Sequence, residues 1–489
     1  MKKTILFCLA SALLAVGLIG GAAAMLDSKK EAVLLEEELL YGDRAAAEGL
    51  QLDIRFDLPV EGKYDRTSNV WWELNQKYDN GLQFTPEFHF VHEPPDKTYY
   101  WEHQGLRLET LGDYEGAYND QDWITNAFFE SLEGELSDGG NEICTVDLSE
   151  HFEYLPLWFE FDYPHGVTDL TVNDQVTGSG YQLYRKLNEL FPIPVPEKTI
   201  VEIECMRDAE DGMLKYACLR TYAYHENGNS VDVVLSSPSV CTEDGIYFTI
   251  SPTANNGERL DLSALKLGYG IYFLPVVPYY PEDPEDELRQ PDPDGLRRVI
   301  ELDLHAIDEI IGLEWSEADD RLYVLSRTNG RAFLHCYDGS TYALVDTIEL
   351  GAAFSEIRYE DGYLIACYTD NTFSVFVEEE GGYAEEFRHR SHFNEANLFN
   401  RPETYVDFDG SRLAVASADY DSNDHDYILA VYDAAGLRFR ADYTTSLHNA
   451  CYSEWYYLQG APMSLHWGEG APPQPREEYF YSTTTVIRG

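Results

Sequence analysis

Asp320-Arg-Leu-Tyr-Val-Leu-Ser326, Arg331-Ala-Phe-Leu-His-Cys-Tyr-Asp-Gly339 and Tyr342-Ala-Leu-Val-Asp346 follow one another across short gaps, and the same order then returns twice. The second copy is Asp361-Gly-Tyr-Leu-Ile-Ala-Cys367, Thr372-Phe-Ser-Val-Phe-Val377, a Glu-Gly-Gly turn, and Tyr383-Ala-Glu-Glu-Phe387. The third is Asp409-Gly-Ser-Arg-Leu-Ala-Val-Ala416, Tyr427-Ile-Leu-Ala-Val-Tyr-Asp433 and Leu437-Arg-Phe-Arg-Ala441. Each piece is short, rich in β-branched and aromatic residues, and bounded by Asp or Gly, which marks strands joined by tight turns.

Leu322 to Leu364 is a step of 42 residues; Leu364 to Leu413 is 49, the excess lying in the acidic stretch Asp419–Asp426. A period near ~40–45 with three or four strands per copy suits a unit that is apolar on both faces and must stack on neighbours to bury them. Over about 295–445 the chain resembles the blades of bacterial WD40-like or YVTN-like β-propellers. No Trp-Asp dipeptide ends the copies, and the sialidase-type Asp box is missing. The resemblance implies a mainly β fold, a β-propeller of uncertain blade number. Three copies do not close a ring of ~4–8 blades, so strands elsewhere must supply the others or form a separate β domain.

Upstream, Leu50-Gln-Leu-Asp-Ile-Arg-Phe56 alternates strictly and predicts a half-buried strand. Further strands are expected at Glu87–Val91, Leu155–Phe161, Thr199–Cys205, Leu214–Tyr224, Val231–Leu235 and Ile246–Ile250, with helices at Asp120–Leu136 and Gly180–Leu190. Residues 50–274 thus read as a mostly β region, with degenerate blades favoured over a separate domain. Prolines spaced through Pro275–Gly295, among acids, predict an extended linker or long loop ahead of the repeat region at 296–489.

At the start, Lys2 and Lys3 precede a run from Thr4 to Met25 without a charged side chain, long enough to span a bilayer. Ala22 and Ala24 fit the small-x-small rule for signal peptidase, so residues 1–25 are either a transmembrane anchor or a cleaved signal. Leu34, Leu35, Leu39 and Leu40 fall at near-helical spacing behind Ser28, which predicts a juxtamembrane helix within 26–49. The expected location is the cell membrane, single-pass with the bulk outside the cytoplasm, or secretion.

The net charge of −54, from 88 acidic against 34 basic residues, repels phosphates and so argues against nucleic-acid partners. The membrane is expected to be met through the N-terminal segment only. Beyond that segment the seven cysteines show no C-x-x-C spacing, which leaves a zinc cage unsupported. Cys205 and Cys218 flank a turn at Asp208–Gly212; a cross-strand disulfide and reduced buried thiols are both open there.

Asp419, Asp421 and Asn423 follow the D-x-D-x-N spacing that sets hard oxygen ligands on one side of a turn, so calcium is the one metal or cofactor expected, and this loop its candidate site. The glycine and the closing glutamate of a full calcium loop are replaced by Asp424 and Ala430. His89, His92 and His103, and His389 with His392, are the other groups with metal-binding chemistry, although strand residues three apart face opposite ways. Ser263-Ala-Leu-Lys266 matches a four-residue nucleophile pattern without its companions. No P-loop, dinucleotide fingerprint or H-E-x-x-H occurs. The expectation is a non-catalytic binding, sensing or scaffold module for a protein, peptide or glycan. The alternative is a surface or secreted hydrolase acting on glycans through a carboxylate pair, since such pairs are defined by distance rather than by sequence.

Overall fold

The fold is known from a computed structural model. The residues described are 35–57, 71–79, 83–91, 105–110, 142–163, 179–196, 198–207, 214–224, 230–232, 235–254, 257, 259–281, 288–317, 319–360, 362–379, 382–392, 404–418, 427–445, 463–468 and 486–488. The anchor-or-signal segment 1–25 and the helix expected at Asp120–Leu136 lie outside them. Among the described residues no helix is long and apolar enough to cross a membrane. The chain is mainly β, in antiparallel sheets, and divides into two compact units.

The first unit comprises 1–100, 357–377 and 385–486. Strands Thr404–Phe408, Arg412–Ala418, Tyr427–Asp433 and Gly436–Thr445 lie side by side in chain order. Their alternation divides the side chains cleanly. Leu413, Val415, Ile428 and Tyr432 pack against Tyr363, Ile365, Phe373 and Val375 of the preceding repeat. Ala414, Ala416, Leu429 and Val431 pack instead against Leu50, Leu52, Tyr78 and Leu465. A sheet apolar on both faces can exist only between two others, which is why the repeat recurs.

Both ends of the chain enter these sheets. Leu35–Gly42 adds a fifth strand beside Gly436–Thr445, from Leu35 opposite Thr445 to Gly42 opposite Phe439. Met463–Trp467 pairs with Leu50–Ile54, heading a sheet that continues through Trp71–Asp79 to Gln83–Val91. The juxtamembrane helix is therefore corrected: residues 35–42 form a strand, and a short 3-10 turn follows at Arg44–Ala47. Local leucine spacing lost to pairing with a strand some four hundred residues away. Gly42 ends the strand at φ +77°, and a side chain there would collide with the Arg438 carbonyl, so only glycine serves.

A buried polar chain stitches the same layer. The Tyr427 hydroxyl donates to Gln76 Oε1 at 2.7 Å, and the Gln76 amide meets Tyr78, which meets Tyr443. Tyr443 donates to Glu37 Oε2 at 3.0 Å, and Arg44 Nε donates to the other Glu37 oxygen at 2.7 Å. Tyr427 and Tyr443 stack with centroids 4.7 Å apart. Burial holds the Tyr78 and Tyr443 phenols well above their ordinary range, so both remain neutral donors.

The second unit comprises 101–356, 378–384 and 487–489. Strands Ser239–Thr242, Gly245–Phe248 and Gly270–Pro278 form its central sheet, joined by Arg297–Glu301. Ile246 and Phe248 face a core shared with Leu106, Leu157 and, from helix Ser179–Leu190, Leu183 and Leu187. Tyr247, Ile271 and Phe273 face the other way, onto Ile310, Leu322 and Val324 of the first repeat. That repeat is the four-stranded sheet Glu309–Ser316, Arg321–Thr328, Arg331–Asp338 and Leu344–Gly351.

The proline-rich stretch, read as a linker or long loop, lies within the second unit. The unit runs through it, and Val276–Pro278 pairs with Arg289–Pro291 as the arms of a hairpin whose acidic residues 282–287 lie outside the described set. The repeat region does not stand apart from 50–274, because the first unit combines 35–100 with 357–486 while the second holds the first repeat.

Candidate functional site

In the first unit the sheet headed by Met463–Trp467 differs from its neighbour in having one polar face. Register sets His466 opposite Gln51, Gln51 opposite Lys77, Ser464 opposite Asp53, and Asp53 opposite Asn75. Strict alternation places these residues together, away from Leu50, Leu52 and Leu465. Asp53 is 9 % exposed and accepts from the Asn75 amide. His466 is 8 % exposed, and among the described residues neither ring nitrogen has a hydrogen-bond partner. A buried polar group of this kind calls for a ligand or water as its partner.

Beside it runs Thr404–Phe408. Asp407 Oδ2 accepts the Trp467 backbone N–H at 2.6 Å, and the Trp467 indole N–H donates to the Asp407 carbonyl at 3.1 Å. Burial raises the Asp407 carboxyl above the usual range; the N–H groups of Trp467 and Phe408 and the nearby His466 oppose that, while Glu360 adds to it. Glu360 is itself held by Arg358 at 2.8 Å, and Arg358 reaches the Thr404 carbonyl at 2.5 Å. Arg412 lies over the Trp467 ring at 4.0 Å and donates to the carbonyls of Ala46 and Glu48. Acids and bases thus gather at the strands that join the chain ends, where alternation alone gave no warning of His466 or Asp407.

In the second unit Arg107 joins two carboxylates, the buried Glu109 and, at 3.5 Å, Glu160. Ser326, His335 and Thr347 form a hydrogen-bonded ladder, 2.9 Å and 3.2 Å long in its two links, across three strands of one sheet. Ser326 is fully buried, so the ladder is structural. Burial lowers the His335 pKa and so favours the neutral ring.

The loop carrying Asp419, Asp421 and Asn423 lies outside the described residues; Ala418 and Tyr427, which bound it, pair with each other. His92 and His103 lie outside too, and of His89 only the backbone position opposite Glu73 is described. His389 Nε2 is 2.9 Å from the Asp433 carbonyl, which gives that ring a structural partner; the His392 backbone N–H donates to the Tyr432 hydroxyl at 3.2 Å, and the His392 and Tyr432 rings lie 6.2 Å apart. Ser263 donates to Asp261 at 2.6 Å and Lys266 pairs with Glu189 at 3.6 Å, which separates the two halves of the nucleophile pattern. In the strand register Cys205 lies opposite Tyr216 and Cys218 opposite Ile203. Among the described residues no group of three metal-ligating side chains converges.

No family model matches the chain, and no curated protein does. Solved structures similar to it include a candidate 6-phosphogluconolactonase from Bacteroides fragilis, at 11% identity over 80% of this chain and 94% of that one, TM-score 0.29. The β-propeller domain of the Trilobed protease from Pyrococcus furiosus is similar at 10% identity, over 50% and 68% of the two chains, TM-score 0.20. The Cps50 (Swd1) β-propeller domain of Myceliophteria thermophila is similar at 12% identity, over 49% and 81%, TM-score 0.19. At these TM-scores the likenesses carry no argument about activity.

Proposed function

We propose that the chain is a β-propeller held at the cell membrane by Thr4–Met25, with its bulk outside the cytoplasm, where it binds a protein, peptide or glycan as a sensor or scaffold. The observation that carries this reading is the sharing of sheets by the two chain ends: Leu35–Gly42 beside Gly436–Thr445, and Met463–Trp467 beside Leu50–Ile54. In a propeller, pairing of an early strand with a late one fastens a sheet, and the present pairings support that reading. Such a fastened array is a rigid platform for loops, suited to recognition.

The anchor fits the same geometry. Ten residue steps lead from Met25 to Leu35, the start of the first strand, and an extended chain covers at most about 3.5 Å per residue, so that strand begins within roughly 35 Å of the proposed anchor's end. The rival reading, a glycan hydrolase, has Glu109 and Glu160 bridged by Arg107 in its favour. Glu109, however, is only 2 % exposed and so is withheld from substrate and water alike.

Fractionation of cells making the full-length chain, followed by external protease, tests the proposal. The expected outcome is chain in the membrane fraction, with residues beyond 35 cut from outside. A soluble cytoplasmic product with its N-terminus intact overturns it.

A further inference from the structure

The polar face of the sheet headed by Met463–Trp467 carries more hydrogen-bonding capacity than the chain itself uses. Register sets His466, Gln51 and Lys77 in one row across three strands, and Ser464, Asp53 and Asn75 in the next. Neighbours lie about 5 Å apart across the strands and the rows about 7 Å apart along them, a patch of roughly 10 by 7 Å. Burial deepens across the first row, from exposed Lys77 through half-buried Gln51 to His466. In the second row the half-buried Ser464 and Asn75 flank the buried Asp53. The patch thus opens to solvent on its Lys77 side and is deepest at His466.

Few of its polar groups are matched. Gln51 Nε2 donates to the Gly468 carbonyl at 2.7 Å, which leaves the amide oxygen over. The Asn75 amide donates to one Asp53 oxygen and leaves the other. Neither nitrogen of the buried His466 ring has a partner, and among the described residues the Lys77 and Ser464 side chains make no hydrogen bond or ion pair. The unmatched set is mixed: lysine gives donors, the Gln51 and Asp53 oxygens accept, and hydroxyl and imidazole do both. A buried ring left in this state calls for a partner from outside the chain.

That mixture narrows the occupant. A cation wants several converging oxygens, and Asp53 is the one acid of the patch. An anion would meet a single lysine beside Asp53, in a chain whose net charge of −54 repels it. A peptide that adds as a strand needs unpaired backbone, whereas Leu50–Asp57 is paired on both sides. Neighbouring hydroxyls of a sugar each donate and accept and carry no charge. They suit interspersed donors and acceptors on a surface whose acid and base offset each other.

We infer that this face binds a neutral saccharide, one pair of hydroxyls meeting His466 and Gln51 and another meeting Asp53 and Ser464, with entry from the Lys77 side. The inference rests on the binding reading above, choosing glycan as the ligand and this face as its place. It does not depend on the anchor.

The full-length chain, held in a detergent without a sugar headgroup and passed over an array of neutral, uronic-acid and amino-sugar oligosaccharides, tests this beside Gln51→Ala and His466→Gln. Circular dichroism shows whether each variant is folded, and Gln51→Ala, outside the core, decides the site if His466→Gln does not fold. The expected result is retention on neutral oligosaccharides, weakened roughly tenfold or more by each folded variant. Retention on neutral sugars that neither variant weakens overturns the site and leaves a glycan-binding module standing. Retention confined to the uronic-acid or amino-sugar spots overturns the neutral class. A folded chain retained on no sugar overturns the inference and leaves the binding reading to protein and peptide ligands.

Discussion

Two neighbouring sheets of the first unit share one core and differ in what lies on their other faces. The sheet of Thr404–Thr445 is apolar on both sides, with Leu413 and Val415 turned one way and Leu429 and Val431 the other. The sheet headed by Met463–Trp467 is apolar only toward that neighbour; behind Leu50 and Leu52 stand Gln51, Asp53, Asn75 and His466. Two antiparallel sheets, each completed by a strand from far away in sequence, therefore take two roles. One sheet is filling between two layers, and the other closes the chain while presenting polar chemistry.

The comparison is broken most sharply in the shared core. Leu429→Ala removes a fully buried side chain between the two sheets and is expected to cost about 2–5 kcal/mol in denaturant unfolding. Gln51→Ala, on the polar face of the second sheet, is expected to stay within about 1 kcal/mol. Equal losses would mean that both faces of the second sheet are packed alike.

A smaller effect is expected at the buried tyrosines. Tyr443→Phe keeps the ring stacked on Tyr427 but removes the hydroxyl between Tyr78 and Glu37. The cost is expected at about 1–3 kcal/mol, since the Glu37 carboxylate loses a donor in a buried site. Unfolding at neutral pH measures it, and a neutral result would mean that Arg44 alone satisfies Glu37.

The smallest effect is one of sign. Burial lifts the Asp407 carboxyl above its unfolded range, so the folded state holds the proton longer and stability falls as pH rises from about 4 through the raised value. Asp409, two residues on, is also pushed up by burial but is carried below its range by hydrogen bonds from Arg412 and Ser411. Its contribution is present above about 4 and is lost as pH falls through the lowered value. Melting curves between pH 3 and pH 7 should show Asp407→Asn removing a downward slope with pH and Asp409→Asn removing an upward one. Slopes of the same sign would break the contrast between a buried carboxyl and a bonded one.

What could be read from the sequence was local. Alternation in Leu50–Phe56, the strands of Leu214–Tyr224, the helix Ser179–Leu190 and the three repeats all depend on neighbours within a few residues, and each appears where periodicity put it. The misreadings share one cause. Leu35–Gly42 has leucines that suit a helix as well as a bulged strand, and only the free edge of Gly436–Thr445 chose between them. Pro275–Gly295 reads as a linker or long loop, and local spacing does not show that Val276–Pro278 and Arg289–Pro291 pair.

The polar site was hidden for the same reason. Nothing about His466 or Asp407 in sequence distinguishes them from the other histidines and acids; they become notable because Met463–Trp467 comes to rest beside Leu50–Ile54 and Thr404–Phe408. The sequence by itself determined the strand-rich repeats and their need for stacking partners, because side-chain period and turn residues act over short range. Only the tertiary structure decided which strands join the ends of the chain and which carboxyls are buried, because pairing register and desolvation belong to partners distant in sequence.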